Sequence, residues 1–277
     1  MKGFKFLFLI LIALYLYTPE AFAATPVKIL IVPGHDNEVW GAQYKNVKEG
    51  AMNLAVGTRL LNILNKDRRF EVYITRDNDG YVDNFASYFQ SERQNIISFK
   101  ENAKKITREK IEGGNFTPKN GVPHNKVDED TSVILYGINK WANKNKMDAV
   151  IHIHFNDYPR KTPSSIGKYT GFAVYTPDSE LANWWGSGQL AANIFLKLKE
   201  KYAASNYKPE AGGLVPDMSL IAMGSNRTLD KDVRTVLVEY GYIYQKIFRD
   251  FKTRHKAYDD MAKLTASGIK NYFLEKE

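Results

Sequence analysis

The chain has 277 residues, no cysteine and a formal net charge of +8. Without cysteine it forms no disulfide and has no thiol nucleophile, so nitrogen and oxygen are the only donors for a metal. The basic residues are scattered rather than gathered in one tract, which favours acidic partners in general and gives no expectation of nucleic-acid binding. At the amino end, Lys2 and Lys5 precede an apolar run from Phe6 to Tyr17, followed by Ala21-Phe-Ala23. This pattern reads as a secretory signal peptide over residues 1–23. The run is shorter than the roughly 20 residues a membrane-spanning helix needs, and no later segment approaches that length. The expectation is a cleaved leader with no integral span after cleavage. The mature chain, 24–277, is expected to be secreted, to the periplasm or the extracellular wall, and to form one domain around a single core.

The mature part opens with Val27 to Val32, a compact run rich in β-branched residues and stopped by Pro33-Gly34, which predicts a central strand. Glu49 to Lys66 places Met52, Leu54, Ala55, Leu60, Leu61 and Leu64 at helical spacing, so an amphipathic helix is expected there. Phe70 to Thr75 alternates as a second strand, close enough to that helix to complete a right-handed β-α-β unit. From residue 78 to 130 the signal weakens. Ala86 to Glu112 reads as helix and Gly113 to Asp130 as loop, and the whole stretch is expected to be an insertion or a lid-like segment. Thr131 is the expected N-cap of a helix reaching Asn145. Strands are expected at Ala149–Phe155, Gly171–Thr176 and Val233–Tyr240. A long helix is expected behind a cap at Ser179, and a terminal helix at Tyr258–Phe273. Strands alternating with helices predict an α/β fold of three layers, a twisted sheet, mostly parallel or mixed, with helices on both faces.

Two strands end in histidine: Lys28-Ile-Leu-Ile-Val-Pro-Gly-His35 and Asp148-Ala-Val-Ile-His-Ile-His154. Side chains at the carboxyl ends of central strands stand where ligands bind in α/β sheets. Glu49 heads the helix after the first run, and Glu239 closes a third run, Thr235-Val-Leu-Val-Glu-Tyr-Gly. Two imidazoles and one carboxylate form a donor set that holds zinc in hydrolases while leaving a position open for water. The competitor Glu38 lies near His35 but inside an irregular turn, which favours Glu49. His152 and His154 face the same side of their strand.

Five pieces of sequence, in order, resemble the zinc-dependent N-acetylmuramoyl-L-alanine amidases that cut peptidoglycan. They are Ile31-Val-Pro-Gly-His35, Glu49-Gly-Ala-Met-Asn-Leu-Ala55, Val72-Tyr-Ile-Thr-Arg-Asp77, His152-Ile-His-Phe-Asn156 and Val238-Glu-Tyr-Gly-Tyr242. The resemblance implies that His35, Glu49 and His154 hold Zn2+ and that Glu239 is the catalytic carboxylate. It implies that the bond cut joins the lactyl group of N-acetylmuramic acid to L-alanine, with peptidoglycan as the partner and a recruiting protein left open. Where the family has serine, this chain has His152, which is expected beside the ligands rather than among them. After Pro-Gly-His it has Asp36-Asn37 where relatives often have glycine. Arg76 and Lys168 are candidates to meet stem-peptide carboxylates, whereas His124 and His255 are expected at the surface. Residues 157–168 are too few for the blocking helix that some family members insert there. The alternatives are a zinc peptidase cutting within the stem peptide or crosslink, and a wall-binding module without catalysis. Retention of all four site residues argues against the latter.

Overall fold

The apolar run that starts at Val27 forms strand β1 (Val27–Pro33), and a short hairpin follows, β2 (Gln43–Tyr44) with β3 (Val47–Lys48). Then come α1 (Glu49–Leu64), β4 (Phe70–Ile74), α2 (Asp83–Ser91), α3 (Arg93–Glu112), α4 (Glu129–Lys144) and β5 (Ala149–Asn156). The chain continues through β6 (Ala173–Pro177), α5 (Trp184–Lys199), β7 (Leu214–Asp217), β8 (Arg234–Tyr242), α6 (Lys246–Arg249) and α7 (Phe251–Leu274). The computed structural model describes residues 25–119, 121–124, 126–210 and 212–275. Residues 1–23, expected to be a signal peptide, lie outside the described residues.

Six strands form one mixed sheet in the order β4-β1-β5-β8-β6-β7. Strand β1 runs parallel to β4 and β5, and β5 runs parallel to β8. Strand β6 is antiparallel to β8 and parallel to β7. Strand alternation sends Ile29, Ile31, Ile151 and Ile153 into a core shared with α1, α5 and α7. The intervening Leu30, Val32 and Val150 pack instead with Phe85, Ile138 and Ala142 from α2 and α4. Each such side chain contributes roughly 1.5–3 kcal/mol when fully buried. The three-layer α/β architecture is the expected one, with helices covering both faces of the central strands.

Local details differ from the expectation where caps and breaks decide them. Helix α4 is capped by Asp128, whose side chain accepts from the Thr131 amide, so Thr131 is the residue served by the cap and not the cap itself. Helix α5 begins only at Trp184, with Asn183 rather than Ser179 at its N-cap position. The expected helix 86–112 is two helices, divided at Glu92, where φ −99 and ψ 6 leave the helical region. Helix α3 packs on α4 through Ile96, Val133 and Tyr136.

Candidate metal centre

Strand β1 delivers Pro33-Gly34 to the end of the sheet, where the Gly34 amide donates to the Ile153 carbonyl at 2.9 Å. His35 then takes φ 61, a left-handed conformation uncommon outside glycine, and the chain leaves the strand direction. The Asp36 carboxylate accepts from the amides of Glu38 and Val39 at 2.9 and 2.6 Å, which closes this loop on itself and leaves Glu38 exposed. After Gly41, at φ 72, the β2–β3 hairpin returns the chain so that Glu49 opens α1 beside the histidine.

The Glu49 carboxylate sits between two imidazoles. Its Oε2 lies 3.1 Å from His35 Nε2, and its Oε1 lies 3.0 Å from His154 Nδ1. Backbone amides complete its surroundings, Ala42 at 2.9 Å and Phe155 at 3.2 Å. One donor atom from each of His35, Glu49 and His154 lies within 4.8 Å of the other two. His152 is not part of that group.

The surroundings are shaped for this cluster. A Cβ at Gly34 would meet the His154 ring well inside contact distance, and one at Gly41 would meet His35 Nε2 at 2.5 Å and Glu49 Oε2 closer still. Both positions therefore need glycine for the rings to stand where they do. The donor set of two imidazoles and one carboxylate suits Zn2+ with a coordination position left open. The residues fit a metal ion on both counts.

Electrostatics separates the two glutamates. Burial would raise the Glu49 carboxyl, yet the hydrogen bonds from His154 and His35 win and hold it well below the usual carboxylate range. Desolvation lowers His35 as well, but the Glu49 carboxylate outweighs it and the ring is raised above 6.5. At His154 desolvation dominates over Glu49, and the ring stays low, which suits a neutral ligand. Glu239 is the register partner of His154 on β8. Its Oε2 is buried without a hydrogen-bond partner among the described residues. Desolvation, joined by the charges of Glu49 and Glu210, pushes it well above 4.5. His152 is 1% exposed with Nε2 unpartnered, and desolvation with the neighbouring His154 pushes it down to about 3.

The pairing of β5 with β8 breaks just past this point: His154 faces Glu239, but Asn156 faces Tyr242, so β8 carries one extra residue at Tyr240-Gly241. Such a bulge re-aims neighbouring side chains and is common beside sites. Beyond it lies a buried polar network invisible in the sequence. The Glu210 carboxylate accepts from Asn156 Nδ2 and Tyr175 OH, both at 2.7 Å, and from Tyr242 OH at 3.1 Å.

Arg76 turns inward. It is 1% exposed and donates to the carbonyls of Pro33, Gly34 and Gly50, clamping the Pro-Gly-His turn against α1. Lys168 is exposed and stacks over Tyr158 and Tyr169. His255 lies on α7, where its Nδ1 is 3.2 Å from Arg59 Nη2. His124 is the surprise: its ring lines the same cavity, of about 530 Å3, that His35 and His154 border. The sequence signal that would have found it is weak, a single histidine in a loop. Residues 157–168 contain no helix.

Residues 29–111 and 122–271, well over half of the chain, match the family model described as N-acetylmuramoyl-L-alanine amidase. No curated protein matches the chain. Among solved structures it is similar to the N-acetylmuramoyl-L-alanine amidase from Clostridium difficile 630, with TM-score 0.55 and 17% identity over 92% of this chain and 100% of that one. It is also similar to the CwlD amidase from Clostridioides difficile, solved in complex with the GerS lipoprotein, with TM-score 0.56 and 16% identity over 89% of this chain and 98% of that one. Ami1 from Mycobacterium smegmatis gives TM-score 0.56 and 16% identity over 90% and 97%. At such identities the structural likeness speaks for the fold.

Proposed function

Because the chain belongs to the N-acetylmuramoyl-L-alanine amidase family, we propose that it hydrolyses the amide between the lactyl group of N-acetylmuramic acid and L-alanine in peptidoglycan. His35, Glu49 and His154 are the proposed zinc ligands and Glu239 the proton-transfer group. We further propose that residues 1–23 are removed on export and that the mature protein works outside the cytoplasm, in the periplasm or at the extracellular wall, where its substrate lies.

A zinc ion held by the three ligands would supply Lewis acidity and a water acidified towards neutral pH. The protein's own residues do the rest. Glu239, buried and without a partner at Oε2, accepts a proton from the attacking water and returns it to the amine nitrogen as the C–N bond breaks. An amide needs that second step, since an unprotonated amine leaves poorly. Arg76 holds the turn that presents His35, through its bonds to Pro33, Gly34 and Gly50. Glycines 34 and 41 leave the space in which the rings and the carboxylate meet.

The observation that carries this reading is the convergence of His35, Glu49 and His154 within 4.8 Å, with Glu239 in register beside His154. Zinc content and turnover of four variants test it. His35→Ala, Glu49→Ala and His154→Ala are expected to lose metal. Glu239→Gln is expected to keep metal and lose turnover by about 10²–10⁴-fold, the usual scale for general acid–base catalysis. Product analysis tests the bond: release of a peptide that begins with L-alanine supports the amidase, and products that keep the lactyl group joined to L-alanine refute it.

A further inference from the structure

The cavity that begins at His35 and His154 runs between α4 and the turn after β7, and the loop 113–128 closes one side of it with His124, Lys126 and Val127. This loop holds to the body by other means. Phe116 and Val122 are buried against Val215 and Met218, and the Lys119 ammonium reaches Asp178 at 2.6 Å. His124 adds a contact of a different kind. Its Nε2 lies 3.2 Å from Oδ2 of Asp217, whose side chain is fully buried. The other oxygen of Asp217 accepts from the Ser219 amide at 2.7 Å, the Ser219 hydroxyl at 2.8 Å and the Leu220 amide at 2.8 Å. A carboxylate only accepts hydrogen bonds. Asp217 therefore places a proton on Nε2 and fixes the ring edge-on to Tyr175, with centroids 5.5 Å apart. Nδ1 then carries the lone pair and is left to accept a hydrogen bond in the cavity.

Two residues further on, Lys126 is the one lysine or arginine on the cavity wall among the described residues. The two cations expected from sequence to meet substrate carboxylates are committed elsewhere: Arg76 to three carbonyls, Lys168 to a tyrosine pair. The Asp36 carboxylate also borders the cavity, but its Oδ1 is engaged by the amides of its own loop. Much of the remaining wall is apolar, including Ile134, Leu135 and Leu220. Polar groups of this kind, sharing an apolar cavity with a metal-ligand set, suit the charged part of an extended substrate.

Resting on the amidase reading, we propose that Lys126 binds a carboxylate of the peptide that extends from the scissile amide along this cavity, and that His124, positioned by Asp217, accepts an N–H of the same peptide at Nδ1. They act on specificity and stand apart from the proton-transfer step.

The test compares kcat/KM of the zinc-loaded protein on N-acetylmuramoyl-L-alanyl-glutamate and on its fully amidated counterpart. Wild type is expected to prefer the acid by about tenfold or more, the factor that a charge-assisted hydrogen bond of ordinary strength provides. Lys126→Gln is expected to shrink that ratio by about fivefold, and His124→Gln to weaken both substrates by about fivefold, each through KM, with kcat within about twofold. The acid substrate should bind the Glu239→Gln protein more weakly by the same factor when either change is added. Lys126 is exposed, so its variant separates recognition from folding; zinc content and the thermal midpoint serve as controls. Equal losses on the two substrates in Lys126→Gln, or an unchanged ratio there, would overturn the proposal, as would an unaltered KM in His124→Gln. Failure of the wild type to release an L-alanine-ended peptide from either substrate is a different result, and it removes the amidase reading along with this proposal.

Discussion

Glu49, Asp217 and Glu239 all have carboxyl oxygens withdrawn from water, but the first two collect hydrogen bonds while Glu239 leaves Oε2 bare. Donors around the charged form lower a carboxyl pKa, and burial alone raises it. Glu49 thus stays an anion fit to be a ligand, whereas Glu239 is a strong proton acceptor. For Asp217, burial opposes ionisation, but His124, the Leu220 amide and Ser219 prevail and hold it below its ordinary 3.8. A carboxyl held low in the native state stabilises the fold above its unfolded pKa, and that stability is lost as pH falls through the native pKa. Asp217→Asn is therefore expected to cost about 1–3 kcal/mol at pH 7, the scale for leaving buried donors poorly matched. Urea unfolding at a series of pH values should show the gap to wild type narrowing below about pH 4.

Among the elements, β1, α1, β5 and β8 were legible in the sequence because each carries its own pattern. The strands are apolar runs flanked by turn residues, and the helix repeats its apolar positions at the right spacing. The β2–β3 hairpin and β7 are only two to four residues long, too short for any periodicity. The misplaced caps have a similar cause. Several residues near a helix start are able to cap it, and the choice of Asp128 over Thr131 depends on which amide the folded backbone leaves open. Gly34 shows how an element's end makes a site. Nothing in its backbone demands glycine, but a methyl there runs into the His154 ring. Gly34→Ala should keep the circular dichroism of the fold and weaken zinc binding by about 10-fold or more, the effect of disturbing what supports a metal ligand. Unaltered zinc affinity would show that the ring has room to retreat.

Across the whole molecule, the proposed metal ligands gather at the ends of the central parallel strands and the start of α1, and the cavity beside them belongs partly to what is draped over the sheet. Residues 113–128 contribute none of the three ligands and not Glu239, yet they wall the cavity and bury Phe116 and Val122. Replacing 114–127 by a short glycine-serine linker is expected to leave zinc content intact. The lost burial should lower stability by a few kcal/mol, at roughly 1.5–3 kcal/mol for each large apolar side chain. Loss of metal in that variant would show that the segment helps shape the ligand geometry.

The sequence by itself determined the main alternation of strands and helices and put His35, Glu49, His154 and Glu239 forward as candidates, because strand ends and helix starts are local features that carry their residues to predictable places. It did not determine what long-range packing alone sets. Arg76 turned inward because three carbonyls of the Pro-Gly-His turn and α1 need a donor once the fold closes around them. His124 joined the cavity because a loop without periodicity found a buried carboxylate 93 residues away. The bulge in β8 and the Glu210 network likewise exist only after distant strands pair, since neither has a local signature.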